Sequence, residues 1–356
     1  NLQELETKIK HHRDNYENGQ TTIADTAYDA LLSDLRAIEP HHHLLTDVGA
    51  PPPSYGRKIK HNRPMGSLTK EKGLDGIHSH IQKWAEKLGH TNFQIAKSWK
   101  LDGLAISLGY SQGKLIKAVT RGNGYEGLDV FDNAQYINSI PKVIRCLESF
   151  EIMGEIFMPI GVWRNAGGIF ANPRNGASGT LMQKDAEKTG KHQLWFRAYD
   201  ILDHECYDEK DKRNFARSNG FDYIDMEFYD YDTIQTINEE FIVSANAERD
   251  NLSFGTDGLV FSIYDKQLQD ILGYNGVYPE FKFAFKFPSK QTTALVKGLT
   301  WNTGRSGVIV PLLEIEPTFL DGSTITNITL HSINKFDQLT DEGLGNGCAV
   351  LFEKAN

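Results

Sequence analysis

The sequence predicts an α+β fold with antiparallel sheets, and three observations predict it. Apolar residues recur at helical spacing over roughly the first forty positions. From about residue 93, short β-prone runs joined by a hairpin turn alternate with helical segments. From about residue 294 the pattern is nearly all β.

In the first stretch, Leu2, Leu5 and Ile9, then Tyr28, Leu31, Leu32 and Leu35, define two apolar helix faces. Asp25 suits the N-cap of the second helix, and Pro40 ends it. The breaker-rich run Gly49-Ala50-Pro51-Pro52-Pro53 reads as a linker. It sets the first boundary, giving a small helical domain over residues 1–53.

The second domain, residues 54–293, starts its strands at 93–96 and 104–110. Ser111-Gln112-Gly113-Lys114 turns the chain into a returning strand at 115–120. Further strands are expected at 151–158, 194–201, 258–263 and 281–287, with helices around 71–88, 209–218 and 234–248. The third domain, residues 294–356, carries β signals at Trp301, 307–312, 323–330 and 349–352.

Bulk properties narrow the class. The 356 residues are 39% apolar and 24% charged, ordinary for a globular protein able to bury sizeable cores. No apolar run nears the roughly 18–20 residues of a membrane helix, and the first residues lack a signal-peptide pattern. Cys146, Cys206 and Cys348 lie too far apart for a CxxC zinc site or a disulfide framework, so no resident metal site and a reducing cytoplasm are expected. A net charge of −9 means that any grip on nucleic acid needs a local basic groove or help from elsewhere.

The sharpest chemical signal is Lys100-Leu101-Asp102-Gly103 after a β-prone run. A lysine attacks phosphorus only when neutral, which a partly buried, cation-rich site favours. The phosphoramidate so formed splits one hard transfer into two easier ones. Four further motifs follow in order. They are Thr120-Arg121-Gly122-Asn123-Gly124, Gly154-Glu155-Ile156-Phe157, Asp257-Gly258-Leu259-Val260 and Phe285-Lys286-Phe287-Pro288.

This series resembles the motifs of the covalent nucleotidyltransferases: DNA ligases, RNA ligases and capping enzymes. Within them the chain looks like the NAD⁺-dependent DNA ligases, over nearly its whole length. Phe170-Ala171-Asn172-Pro173-Arg174-Asn175 with Gly179-Thr180-Leu181 is a close match. So is Gly304-Arg305-Ser306-Gly307, with Pro311, Glu316-Pro317 and Thr329-Leu330-His331 behind it. The resemblance implies a nucleotide-adding central domain and a partial OB-fold β-barrel after it. It implies NAD⁺ as substrate, Mg²⁺ as helper and nicked double-stranded DNA as partner.

By the same resemblance, Lys100 takes the AMP, while Glu155 and Arg121 hold the ribose. Tyr199 and Val260 sandwich the adenine, beside Ser67, Leu68 and Leu101. Asp102 and Asp257 shape the nucleotide and metal surroundings, and Lys286, Arg174 and Arg249 face phosphate. Asp25, Tyr28 and Asp29, at i, i+3 and i+4, share one helix face, with Tyr16 on the helix before. A phenol can stack on nicotinamide and carboxylates can meet its charge, and the family has this helical domain for that half of NAD⁺. Without that context, the same residues suit an N-cap and a core.

Several family side chains are absent. Ser98 stands where the family has a Glu that reads adenine, and Ser262 where it has a Lys. Met182 and His192 replace arginines, Asn123 an Asp, and Glu17 a His. Lys282 shares a strand face with Ala284 and Lys286 and is a candidate to compensate. Two other readings stay open: an ATP-using or RNA-directed nucleotidyltransferase, and a ligase-derived, non-catalytic nucleotide-binding or scaffolding subunit. The acidic tail stops partway through its OB-like pattern and should hold DNA weakly alone. The remaining DNA grips are then expected on a further C-terminal segment or a second polypeptide.

Overall fold

The computed structural model describes residues 2–17, 23, 25–39, 42–46, 56–287, 291–303, 309–320, 323–330 and 332–353. The chain falls into two compact units, Asn1–Gln20 with Leu35–Phe287, and Thr21–Asp34 with Pro288–Asn356. Among the described residues no helix is long and apolar enough to cross a membrane.

Helices α1 (Leu2–Glu17), α2 (Asp25–Ile38) and α3 (His43–Thr46) form where the apolar spacing predicts the first two. Asp25 is the first helical residue of α2 rather than its cap, a one-residue difference at a helix end. Ile9 and Leu35 are buried. Arg13 donates to the Leu44 carbonyl at 2.6 Å, tying α1 to α3.

After β1 (Lys58–Lys60) and β2 (Thr69–Glu71) comes α4 (Gly73–Leu88). Ile77, Ile81, Trp84 and Ala85 recur on its buried face. Gly89, in the left-handed region, ends it by donating to the Ala85 carbonyl. Then follow β3 (Gln94–Leu101), β4 (Leu104–Ser111), β5 (Lys114–Thr120), β6 (Glu126–Leu128), α5 (Phe131–Ala134), β7 (Phe150–Phe157) and α6 (Ile160–Asn165). Helix α7 (Pro173–Leu181) starts on the Asn172-Pro173 pair: the Asn172 side chain accepts from the Asn175 amide at 2.7 Å.

Next are β8 (Trp195–Leu202), α8 (Glu209–Ser218), β9 (Met226–Asp230), α9 (Tyr231–Gln235) and α10 (Glu239–Arg249). The helix expected over 234–248 is thus two, because the Asn238 side chain caps α10 by accepting from the Phe241 amide. The unit closes with β10 (Thr256–Ile263), α11 (Lys266–Leu272), β11 (Tyr274–Asn275), β12 (Tyr278–Pro279) and β13 (Lys282–Lys286).

Two sheets dominate this unit. One has the order β2-β13-β10-β3-β9, antiparallel except where β2 meets β13, and the other β5-β4-β7-β8, antiparallel throughout. Leu259, Phe261, Phe283 and Phe285 of the first share one core with Ile77, Ile81 and Trp84 of α4. The other core holds Ile106, Leu108, Ile152, Ile156 and Phe196 of the second. The chain passes from one sheet to the other between Leu101 and Leu104. Gly103 is required in that link, since a Cβ there would lie 2.2 Å from the Ile156 carbonyl oxygen.

In the second unit, β14 (Gln291–Thr303), β15 (Ile309–Leu320), β16 (Ser323–Thr329) and β17 (Ala349–Glu353) form a sheet in the order β16-β15-β14-β17. The first half of β14 pairs with β17 and the second half with β15. Sequence reading missed α12 (Ile333–Asp341), which the Ser332 side chain caps. Its Phe336 and Leu339 pack on the core of Val296, Leu313, Ile315 and Phe352. The Gly304-Arg305-Ser306-Gly307 motif and His331 lie outside the described residues.

Candidate active site

A cavity of about 260 Å³ lies between the two large sheets. Lys100, Leu101, Arg121, Glu155, Arg174, Tyr199, Val260, Lys282, Ser67 and Leu68 all line it, so ten expected residues far apart in sequence meet in one place.

Lys100 stands inside β3, one residue before its end, rather than after the strand. Its ammonium donates to Asp257, with its nitrogen 2.9 and 3.1 Å from the two carboxylate oxygens. The backbone explains that aim. Thr256 pairs with Leu101 and Gly258 with Lys100, so Asp257 is an extra residue bulged out of β10. Without the bulge, alternation would turn it to the core face with Leu259. Lys286 sits on the same rung, opposite Gly258, with its nitrogen 3.7 Å from Asp257. Burial pushes the Asp257 carboxyl up, but the cations, Lys100 foremost and then Lys286, outweigh it and hold the group below the usual carboxylate range.

On the opposing sheet, Arg121 follows β5 and anchors its amide on the Ala105 carbonyl at 2.9 Å. The next residue, Gly122, has φ of 57°, and a Cβ there would fall 2.0 Å from the Glu126 carbonyl oxygen, so the turn that presents Arg121 requires glycine. Arg174, in the first turn of α7, pairs with Asp102 at 3.0 Å. Glu155, on β7, has its pKa pushed up to about 7. Burial is the main cause and outweighs Arg174, Lys100 and Arg121.

The sign of that shift is testable. A carboxyl that binds its proton more tightly when folded lowers stability as pH rises from its ordinary 4.5 through about 7. Glu155→Gln removes the titrating group. Its melting temperature, relative to the parent chain, is therefore expected to climb between pH 5 and pH 8. A constant difference across that range would show that Glu155 does not titrate there.

Asp102, Asp257, Lys286 and Arg249 are not lining residues. Asp257 sits against both Lys100 and Lys286, and Asp102 against Arg174. Arg249 ends α10 with its guanidinium 6.0 Å from the Phe287 ring. Lys282 and Lys286 do share a face, but four residues of strand separate them by about 13 Å. Tyr28 lies on the part of α2 that belongs to the other unit. The side chains of Tyr16, Asp25 and Asp29 lie outside the described residues. Ser98, Ser262 and Met182 line the cavity, whereas His192 packs edge-on against Phe170.

Sequence reading missed Asp200, Met153, Ile224 and Met226, and the β11–β12 residues Tyr274, Val277 and Pro279, all of which line the cavity. Asp200 follows Tyr199 directly, and strand alternation puts neighbours on opposite faces. A second bulge brings both inward: Met153 pairs with Asp200 and Gly154 with Ala198, leaving Tyr199 as the extra residue. Elsewhere, Cys146, Glu148 and His204 bring their ligand-type atoms within 4.8 Å of one another, a cluster that no sequence spacing announces.

Comparison with known proteins places this chain in a family. The model of the NAD-dependent DNA ligase adenylation domain matches residues 54–290, and that of the NAD-dependent DNA ligase OB-fold domain matches residues 293–356. A DNA ligase of Fusobacterium nucleatum is 32% identical over 372 residues, covering 99% of this chain and 53% of the relative. A DNA ligase of Acinetobacter baumannii is 31% identical, covering 96% and 53%. The chain thus spans about half the length of the curated relatives it matches. Among solved structures, one named Pmar-Lig_PreS3 aligns with 80% of this chain and 61% of its own at 15% identity, with a TM-score of 0.43.

Proposed function

We propose, for a chain that belongs to the NAD-dependent DNA ligase family, that Lys100 is adenylated by NAD⁺ and that the AMP is then passed to the 5′-phosphate of a DNA nick. The observation that carries this is the rung of Lys100, Gly258 and Lys286 with the bulged Asp257 between the two ammonium groups, opening on a cavity between two sheets. In this scheme the Asp257 carboxylate orients the Lys100 nitrogen, and the ammonium proton passes to solvent. The neutral nitrogen then bonds to the α-phosphorus, and the bond from phosphorus to the oxygen of nicotinamide mononucleotide breaks. In the later steps the 5′-phosphate displaces Lys100 from the AMP, and a 3′-hydroxyl displaces AMP to close the backbone.

The expected residues take these roles in this scheme. Glu155 and Arg121 hold the ribose, Tyr199 and Val260 enclose the base, and Lys286 and Arg174 oppose the charge that develops on phosphate. Ser67, Leu68 and Leu101 complete the wall. Arg249 is the remaining phosphate candidate. Tyr16, Asp25, Tyr28 and Asp29 would take the nicotinamide half from a domain of residues 1–53, ahead of adenylation and OB-fold domains at 54–293 and 294–356.

Mg²⁺ suits the donor set. Asp102 and Asp257 offer only carboxylate oxygens, the hard ligands this ion takes together with phosphate and water. When bound there, it would neutralise phosphate charge.

The test is intact-protein mass after incubation with Mg²⁺ and either NAD⁺ or ATP. One AMP is expected on the protein with NAD⁺ and none with ATP. Equal labelling by ATP, or no labelling by NAD⁺, would overturn the reading.

A further inference from the structure

The cavity has a charged end, an uncharged middle and a second charged end. The first end is the rung of Lys100, Gly258 and Lys286. Two residues along the same strands, Met226, Ser98, Val260 and Ala284 form a rung with no charge. Two residues further, Ala96, Ser262 and Lys282 form the next, about 13 Å from the first at the usual rise per residue. A nucleotide with its α-phosphate at Lys100 lays its base over the middle rung. The outer edge of that base then points at Lys282.

Lys282 meets one acid there. Its nitrogen lies 3.7 Å from Oδ2 of Asp200, which the β8 bulge turns inward beside Tyr199. The other carboxylate oxygen, Oδ1, is taken. It lies 2.8 Å from the buried Lys212 ammonium and accepts the Ile201 amide at 3.0 Å. Lys212 is fixed in turn by Glu209 at 3.1 Å, and Gln269 donates to the same Glu209 oxygen at 2.9 Å. A buried frame therefore holds Asp200 with one oxygen left toward the cavity. The 3.7 Å separation is too long for a hydrogen bond, so cation and acid stand side by side rather than closed on each other.

We propose that Asp200 and Lys282 read the Watson–Crick edge of the adenine, Asp200 accepting from the 6-amino group and Lys282 donating to N1. Adenine presents a donor next to an acceptor on that edge, the complement of this pair. Hypoxanthine exchanges the two, and setting the 6-oxygen against the carboxylate and N1–H against the ammonium costs both hydrogen bonds. With lysines at both ends of the cavity, Lys286 serves phosphate and Lys282 serves the base. The short side chains of Ser98 and Ser262 leave the floor between them open.

The inference rests on the proposed adenylation by NAD⁺, so binding and chemistry are measured apart. Calorimetric titration with AMP and with IMP tests the edge reading alone. The parent chain is expected to favour AMP. Lys282→Met keeps the apolar stem and is expected to weaken AMP about 10–100-fold, the range for a hydrogen bond to a charged group. Asp200→Asn replaces an acceptor by a group that can also donate, and is expected to narrow or invert the preference for AMP over IMP. In single-turnover adenylation, Lys282→Met should raise the KM for NAD⁺ and leave the rate at saturation within a few-fold. Equal binding of AMP and IMP by the parent chain, or unchanged AMP affinity in Lys282→Met, would overturn the assignment. AMP binding with the expected preference but no adduct from NAD⁺ would overturn the adenylation reading and leave the edge reading standing.

Discussion

Lys100→Ala is expected to take up no AMP from NAD⁺ and Mg²⁺ while remaining folded. The loss is complete rather than partial, because the substitution deletes the atom that bonds to phosphorus. The fold tolerates it: Lys100 is 28% exposed, and its partner Asp257 keeps Lys286 within 3.7 Å. Lys100→Arg is expected to fail as completely, since a guanidinium stays protonated and has no lone pair to offer. Mass spectrometry gives the adduct and circular dichroism the fold. An AMP adduct persisting on the folded alanine variant would move the nucleophile to another residue.

Lys286→Met is expected to slow adenylation by about 10²–10³-fold, the usual cost of removing one donor aimed at developing charge. The lysine shares its rung with Lys100, so its ammonium is held in place before the phosphate arrives. Methionine keeps most of the stem length, which confines the change to charge. The KM for NAD⁺ should move much less than the single-turnover rate, the reverse of the pattern expected for Lys282→Met. A Lys286→Met variant with an unchanged rate and a raised KM would make Lys286 a ground-state binder only.

Much of this was legible in the sequence, for local reasons. The Ser111-Gln112-Gly113-Lys114 turn joins β4 to β5 with Gln112 and Gly113 at φ of 50° and 75°, the left-handed pair that a two-residue hairpin demands. The Asn172-Pro173 start of α7 and the 77, 81, 84, 85 spacing of α4 are equally local. Ten of the expected residues meet because motifs on separate strands converge on one cavity. Non-local pairing hid the rest. Alternation alone sends Asp257 to the core and sets Asp200 opposite Tyr199, and only the register across β3–β10 and β7–β8 reveals the bulges that re-aim them. Likewise, the shared face of Lys282 and Lys286 is readable from spacing, while the rung that each occupies is not. The α9–α10 break and α12 depend on side-chain caps at Asn238 and Ser332, which sit inside stretches whose apolar pattern looked continuous or β-like.

The two-residue link at Asp102-Gly103 also fixes the spacing of the two sheets at one end of the cleft. It joins the sheets beside Lys100 and spans only about 7 Å even when fully extended. The Asp102 amide bonded to the Gly255 carbonyl at 2.9 Å, and the Thr256 hydroxyl bonded to the Lys100 carbonyl at 2.6 Å, clamp it further. The far end of the cleft is tied as well: the Glu209 amide bonds to the Tyr264 carbonyl at 3.2 Å, and the Lys266 amide to the Tyr207 carbonyl at 2.9 Å. The two layers are therefore riveted at both ends of the cavity, so the span between the Lys100 rung and the Lys282 rung works as a fixed gauge for the length of the molecule laid along it.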